Sequence, residues 1–194
     1  MMERPPGERE PDIEALLAEH LPGLRGFIRL RSGPMLRSLE ETTDLVQSVC
    51  REILQHRDRF RFPDDDGFRR WLYTTALRKI GHRAKHYRAQ KREAGRTISL
   101  EGAGAPAEEL LNCYSRVCTP SQVVQAREQV SRIELAFDRL PDDYREVITL
   151  ARIAGLSHAE IAVRMERSEA AVRTLLYRAL ERLSELLGEE RDAD

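Results

Sequence analysis

Apolar residues in this chain recur at intervals of three and four. They do not alternate with polar residues over any useful length, so half-buried strands are excluded and the fold class is all-α. Ile13, Leu16 and Leu17, then Leu24, Phe27 and Ile28, mark two short helices separated at Pro22 and Gly23. Leu45, Val46, Val49 and Ile53 predict a third helix, with a polar entry over Thr42 to Asp44 suited to capping its N-terminus and an end before Pro63. After an acidic turn, Phe68, Trp71, Leu72, Thr75, Ala76 and Ile80 form one stripe at helical spacing, and most charges fall off that stripe. Gly81 weakens this helix by roughly 1 kcal/mol relative to alanine.

Between Thr97 and Thr119 the periodicity fades, and Gly102, Gly104 and Pro106 lie close together, which reads as a flexible linker. The expectation is therefore two small helical domains, residues 1–96 and 120–194, joined by residues 97–119. The second opens at Thr119, Pro120 and Gln122, which combine an N-cap, a proline at the first helical position and a capping-box partner. Val123, Val130, Ile133, Phe137 and Leu140 continue that helix, Pro141 punctuates, and Tyr144, Val147, Ile148 and Ile153 carry the next. Gly155 is a C-terminal stop, and Ser157 with Glu160 forms a second capping box for a short helix ending near Met165. Ser168 then caps a helix with Val172, Leu176, Ala179, Leu180, Leu183 and Leu187 on one side. Two helices joined by so short a turn predict a helix-turn-helix.

Net charge is −1, so the whole chain shows no bias toward a polyanion, but the distribution is uneven. From Arg69 to Arg96 there are ten basic residues against one acid, whereas Glu40 to Asp66 holds eight acids against four arginines. Separated fields of opposite sign predict two partners, with the basic field facing a polyanion. Trp71, Tyr73 and Tyr87 interleave with the basic field and supply stacking surfaces for unpaired bases, Tyr73 being the better placed because Trp71 shares the apolar stripe. The bland alternative is a solvated charged face. In the helix-turn-helix, Glu169, Ala170, Arg173 and Thr174 stand near the N-terminus of the second helix, where base edges are reached, and Arg164 and Arg178 suit phosphates. The alternative there is a plain helical hairpin packed into a core.

Other chemistries find no support. His82 and His86 with Cys113 and Cys118 would make four metal ligands on paper, but zinc sites use tighter cysteine pairs, so no metal or other cofactor is expected. Nothing matches a phosphate loop, a nucleophile elbow or a metalloprotease helix, and no catalytic residue is assigned. No run reaches the roughly 18 apolar residues of a membrane span, and the opening residues lack the apolar core of a signal peptide, which predicts a cytoplasmic protein without membrane insertion. Cys50, Cys113 and Cys118 then read as free thiols.

Three segments together resemble a known family. Asp44-Leu45-Val46-Gln47-Ser48-Val49 is similar to the core-polymerase-binding helix of the extracytoplasmic-function (ECF) sigma factors, the smallest class of the main bacterial sigma family. Phe68-Arg69-Arg70-Trp71-Leu72-Tyr73 resembles the opening of that family's promoter-melting helix, and Leu140-Pro141 through Tyr177-Arg178-Ala179 its C-terminal helix-turn-helix. The resemblance implies docking on the clamp helices of the largest polymerase subunit through Asp44, Gln47, Arg51 and Glu52, with a further contact to the polymerase flap. It implies capture of the minus-ten element and of the opened bubble by Arg70, Trp71, Tyr73, Arg78, Lys79, Arg83 and Arg88. It implies reading of the minus-thirty-five element through Arg164, Glu169, Ala170, Arg173, Thr174 and Arg178, and restraint by an anti-sigma factor. Two departures stand out: Arg78 replaces a customary asparagine, and Ala170 and Ala171 stand where glycine and threonine are frequent. Arg164 to Arg182 holds five arginines against three glutamates, so affinity for free DNA should be poor without the polymerase. The competing function is a stand-alone regulator that binds its duplex unaided, which leaves the basic helix and its acidic neighbour unexplained.

Overall fold

A computed structural model describes residues 12–38, 40–59, 64–94, 107–117 and 126–191, all helix, turn or short connection, with no strand among them. The helices are α1 (Ile13–Arg37), α2 (Thr42–Gln55), α3 (Asp65–Ala94), α4 (Ala107–Tyr114), α5 (Ala126–Asp138), α6 (Asp142–Ile148), α7 (His158–Met165) and α8 (Glu169–Arg191). A short 3-10 turn follows α2, and α6 runs on through a wider π turn at Thr149–Ile153.

In the N-terminal half α1, α2 and α3 pack against one another. The expected break at Pro22 and Gly23 does not occur, because α1 continues through both residues. Gly23 instead makes room for α3: a Cβ there would lie 2.7 Å from the Tyr73 hydroxyl oxygen, so a larger residue would displace that phenol. The backbone departs from helical geometry instead at Gly33, whose φ of 66° and ψ of 170° suit glycine and precede Pro34. Asp12 caps α1 by accepting from the Glu14 and Ala15 amides at 3.0 and 3.1 Å. The polar entry to α2 behaves otherwise than expected. Glu41 occupies the N-cap position without a side-chain cap bond, and Asp44 lies exposed within the first turn.

The segment read as a linker contains α4, which packs between α1 and α5. Leu110, Cys113 and Tyr114 are buried, and the Tyr114 hydroxyl donates to Glu134 Oε1 of α5 at 2.8 Å. Fading periodicity concealed this helix because two turns carry too few apolar positions to establish a rhythm. The capping box at Thr119 and Gln122 lies outside the described residues.

A row of α1 arginines joins this half to α4 and to the C-terminal half. Arg25 donates to Glu109 at 2.9 and 3.0 Å, and Arg29 grips Glu134 with two bonds of 2.6 and 2.7 Å. Arg31 stands 3.5 Å from Glu146, and Arg37 pairs with Asp138. The Glu134 hydrogen bonds raise the Arg29 pKa despite burial, so that guanidinium stays charged in the seam. Removal of one member of such a pair leaves a buried charge without its partner, at a cost of about 3–5 kcal/mol.

The C-terminal half follows the expected order. Ser157 and Glu160 form the capping box of α7, with Ser157 N–H donating to Glu160 Oε2 at 2.8 Å and Glu160 N–H to Ser157 Oγ at 3.3 Å. Gly155 precedes it with φ of 66°, and Glu166 closes α7 in the left-handed region with φ of 53°. Ser168 Oγ then accepts from the Ala171 amide at 3.2 Å at the start of α8. Val172, Leu175, Leu176, Ala179, Leu183 and Leu186 bury one face of α8.

Candidate nucleic-acid and polymerase interface

The α2 helix buries Leu45, Val46, Val49 and Ile53 and turns Asp44, Gln47 and Arg51 to solvent. Gln47, Cys50, Arg51 and Leu54 line a shallow groove there, and Leu54 is among the exposed large apolar side chains. This is an amphipathic helix with a mixed polar and apolar outer face, suited to a protein partner. Cys50 is half-buried, Cys113 is buried, and both are free thiols; burial pushes the Cys113 thiol up to about 11. Glu52 points away from the outer face, toward α3, where it pairs with Arg78 and lies 2.8 Å from Lys79 Nζ.

The α3 helix carries the basic candidates, and in-chain carboxylates meet most of them. Arg70 lies 2.8 Å from Glu160 of α7, Arg83 lies 3.3 Å from Glu40, and Arg78 and Lys79 share Glu52. The acidic and basic fields therefore face each other inside the fold as well as presenting surfaces outward. Burial, with Arg78, Arg83 and Arg51 nearby, lowers the Lys79 pKa, and burial raises that of Glu40. Arg88 is on α3, but its side chain lies outside the described residues.

Tyr73 departs from expectation. Its ring is 2% exposed and packs on Phe27 with centroids 4.8 Å apart, so in this form it offers no stacking surface. The cause is that α3 packs against both α1 and α2, and so buries a wider stripe than one neighbour would demand. Burial raises the phenol pKa and keeps it neutral. Trp71 is half-buried and meets Phe68 edge-on, with centroids 6.4 Å apart. It is the aromatic of this pair that retains an accessible face.

On α8 the arrangement is the reverse. Ala170, Arg173, Thr174, Tyr177 and Arg178 fall at i, i+3, i+4, i+7 and i+8, all exposed, opposite the buried face. Glu169 is exposed at the helix start. Arg173 and Arg178 form no ion pair with a described residue, and Thr174 Oγ1 donates to the Ala170 carbonyl at 3.1 Å. Arg164 on α7 lies 3.6 Å from Glu146. Sequence reasoning did not single out Tyr177, 69% exposed, or Val163, 82% exposed, as candidates. Helical spacing from Ala170 could have found Tyr177, whereas Val163 lies on a short helix with no spacing signal to mark it as exposed.

Two contacts tie these surfaces together. Arg69 donates to the Ala154 carbonyl at 2.8 Å, lying over Gly155, and Glu160 gives one oxygen to the Ser157 cap and the other to Arg70. Burial pushes the Glu160 pKa up, but the Ser157 hydrogen bonds and the adjacent Arg70 and Arg69 hold it below the usual value of 4.5. No described helix is long and apolar enough to cross a membrane.

Comparison with known proteins agrees with this layout. Residues 16–93 match the model of Sigma-70 region 2, and residues 131–183 that of Sigma-70, region 4. The ECF RNA polymerase sigma factor SigD of Mycobacterium tuberculosis (strain H37Rv) is 31% identical over 163 residues, covering 82% of this chain and 69% of that protein. RNA polymerase sigma factor CarQ of Myxococcus xanthus is 28% identical over 188 residues, 97% of this chain and 96% of that one. A solved structure, the sigma factor RpoE in complex with the anti-sigma factor NepR from Bartonella quintana, shares the fold with a TM-score of 0.63 at 22% identity, across 91% of this chain and 97% of that one. With α2 and nearly all of α3 inside one sigma region, and α7 and α8 as far as residue 183 inside the other, the chain belongs to the ECF sigma factors, which direct RNA polymerase to specific promoters and initiate transcription as DNA-binding regulators.

Proposed function

We propose that the two halves divide promoter recognition between them while the polymerase holds them in place. The outer face of α2, with Asp44, Gln47 and Arg51 and with Glu52 at its edge, docks on the clamp helices of the largest polymerase subunit, and the C-terminal half contacts the flap. From α3, Arg70, Trp71, Arg78, Lys79, Arg83 and Arg88 engage the non-template strand of the minus-ten element by charge and stacking. Tyr73 supports that surface from beneath. The α8 stripe reads the minus-thirty-five duplex, with Arg173 and Thr174 at base edges, Glu169 and Ala170 at the groove entrance and Arg164 and Arg178 on phosphates. Tyr177 adds an apolar contact of the kind that thymine methyl groups accept.

The single observation that carries this reading is the α8 stripe, five exposed residues on one helix face with two arginines lacking an ion partner among the described residues. Residues 1–96 and 120–194 act as the two domains, with residues 97–119 as the tether. The two promoter elements lie roughly 25 base pairs apart, hence about 85 Å along the duplex. A compact chain of this length has a radius of gyration of about 16 Å. Reading both elements at once therefore requires the arginine seam and the Arg70–Glu160 pair to part, leaving α4 as the tether's fixed element. Charged pairs line the seam, but Cys113 and Tyr114 of α4 also pack against α1 at Gly26, so opening it exposes apolar surface that binding to the polymerase and promoter must offset. Melting proceeds by preferential binding of the opened strand and needs no catalytic residue or cofactor, and the site of action is the cytoplasm. The solved relative bound to NepR supports an anti-sigma partner for this chain, which would hold the closed arrangement. A mobility-shift assay with a promoter fragment tests the proposal: the protein alone should leave the duplex unshifted, and addition of core polymerase should give a heparin-resistant complex. A stable shift without polymerase would point to a stand-alone regulator instead.

A further inference from the structure

The meeting of α2 and α3 places one carboxylate between two uses. Glu52 is on the helix assigned to the polymerase, next to the exposed Arg51, yet its oxygens lie on Arg78 and Lys79 of the helix assigned to DNA. Its side chain is 20% exposed, at the mouth of an open cleft that His82, Arg83 and His86 also line. Two cations share this one carboxylate, so the cleft retains positive charge and room for another anion. Glu40 is different. Its carboxylate is buried and cannot turn out toward a partner, so it stays beside Arg83, whose own side chain is 42% exposed.

We infer that Glu52 is an internal competitor for phosphate: in the free protein it occupies the cations that later hold the DNA backbone. A polymerase cation docking at α2 draws the carboxylate outward and hands Arg78 and Lys79 to the non-template strand. The inference rests on the reading of α2 and α3 given above. Its physical basis is that one carboxylate cannot give full charge-assisted bonds to a polymerase cation and to Arg78 and Lys79 together. Polymerase binding and strand binding then favour each other reciprocally, because each relieves a contact that the other must break. A carboxylate that merely clamps α2 to α3 would contribute stability and have no bearing on DNA affinity.

The test is fluorescence anisotropy of a labelled oligothymidylate with the full-length protein, without polymerase, over a range of salt. Glu52→Gln should bind several-fold more tightly than the parent at low salt. Its salt dependence should steepen by about 0.7 in the log–log slope for each phosphate gained. Glu52→Asp, which keeps the charge but shortens the reach, should fall between the two and serves if the amide variant folds poorly. Adding Arg78→Ala and Lys79→Ala to Glu52→Gln should abolish the gain. Folded Glu52→Gln and Glu52→Asp proteins with parental affinity and slope would overturn the inference. Transcription with core polymerase separates it from the reading beneath it. If Arg78→Ala with Lys79→Ala lowers promoter opening while Glu52→Gln gains no affinity, the competition fails alone. If the gain appears while promoter opening is unchanged, the assignment of this cleft to the promoter fails.

Discussion

On α3, Arg70, Arg78, Lys79 and Arg83 each sit against a carboxylate of the same chain, whereas on α8 Arg173 and Arg178 face solvent with no ion partner among the described residues. On the proposed reading both helices serve DNA, and the two would limit premature binding by different means. The α3 surface has a large local excess of positive charge and covers it with Glu40, Glu52 and Glu160. The α8 surface is uncovered and carries little net charge, five arginines against three glutamates from Arg164 to Arg182, so in that reading its contacts would supply selectivity more than affinity. A surface that grips an unpaired strand needs charge and hence a cover. A surface that reads base edges can stay open.

The contrast can be broken most forcefully at Tyr73. Since its ring is core, Tyr73→Ala should cost about 3–5 kcal/mol of stability in a urea melt, as removal of a buried aromatic does. A variant with parental stability and lost promoter opening would put the ring at the DNA instead. On the open helix, Arg173→Ala should leave the fold intact and reduce discrimination at the upstream element by about 1–3 kcal/mol. Transcription from intact and scrambled upstream elements measures this, and an unchanged ratio would remove Arg173 from the reading surface. Asp44→Arg should weaken polymerase association at least about tenfold, or 1.4 kcal/mol, in a quantitative pull-down. Unchanged capture would detach α2 from the polymerase.

The smallest effect concerns the contact between the halves. Glu160 has a folded pKa below its ordinary 4.5, so the stability it contributes is present above that value and is lost as pH falls through the folded pKa. Urea midpoints of the parent and of Glu160→Gln should therefore differ at neutral pH and converge in acid. A constant difference across the range would mean that its ionisation does not support the contact.

Much of this molecule was legible in its residues. The α7 capping box, the Gly155 stop and the stripes of α2, α3 and α8 follow from spacing, because each is a local consequence of helical periodicity. Pro22 and Gly23 misled because the cost of a proline and a glycine inside α1 is offset by packing against α3, which only tertiary structure reveals. Tyr73 misled for a related reason: one stripe predicts one buried face, and α3 has two neighbours. The pairing of Glu40 and Glu52 with the basic helix was hidden because opposite charges far apart in sequence read equally well as two external faces.

Reconstituted transcription tests the central claim most directly. Purified protein added to core RNA polymerase on its promoters should yield transcripts with defined starts, and those starts should disappear when either the upstream or the downstream element is scrambled. Specific binding to the duplex by the protein alone, with no start-site selection when polymerase is added, would contradict the account.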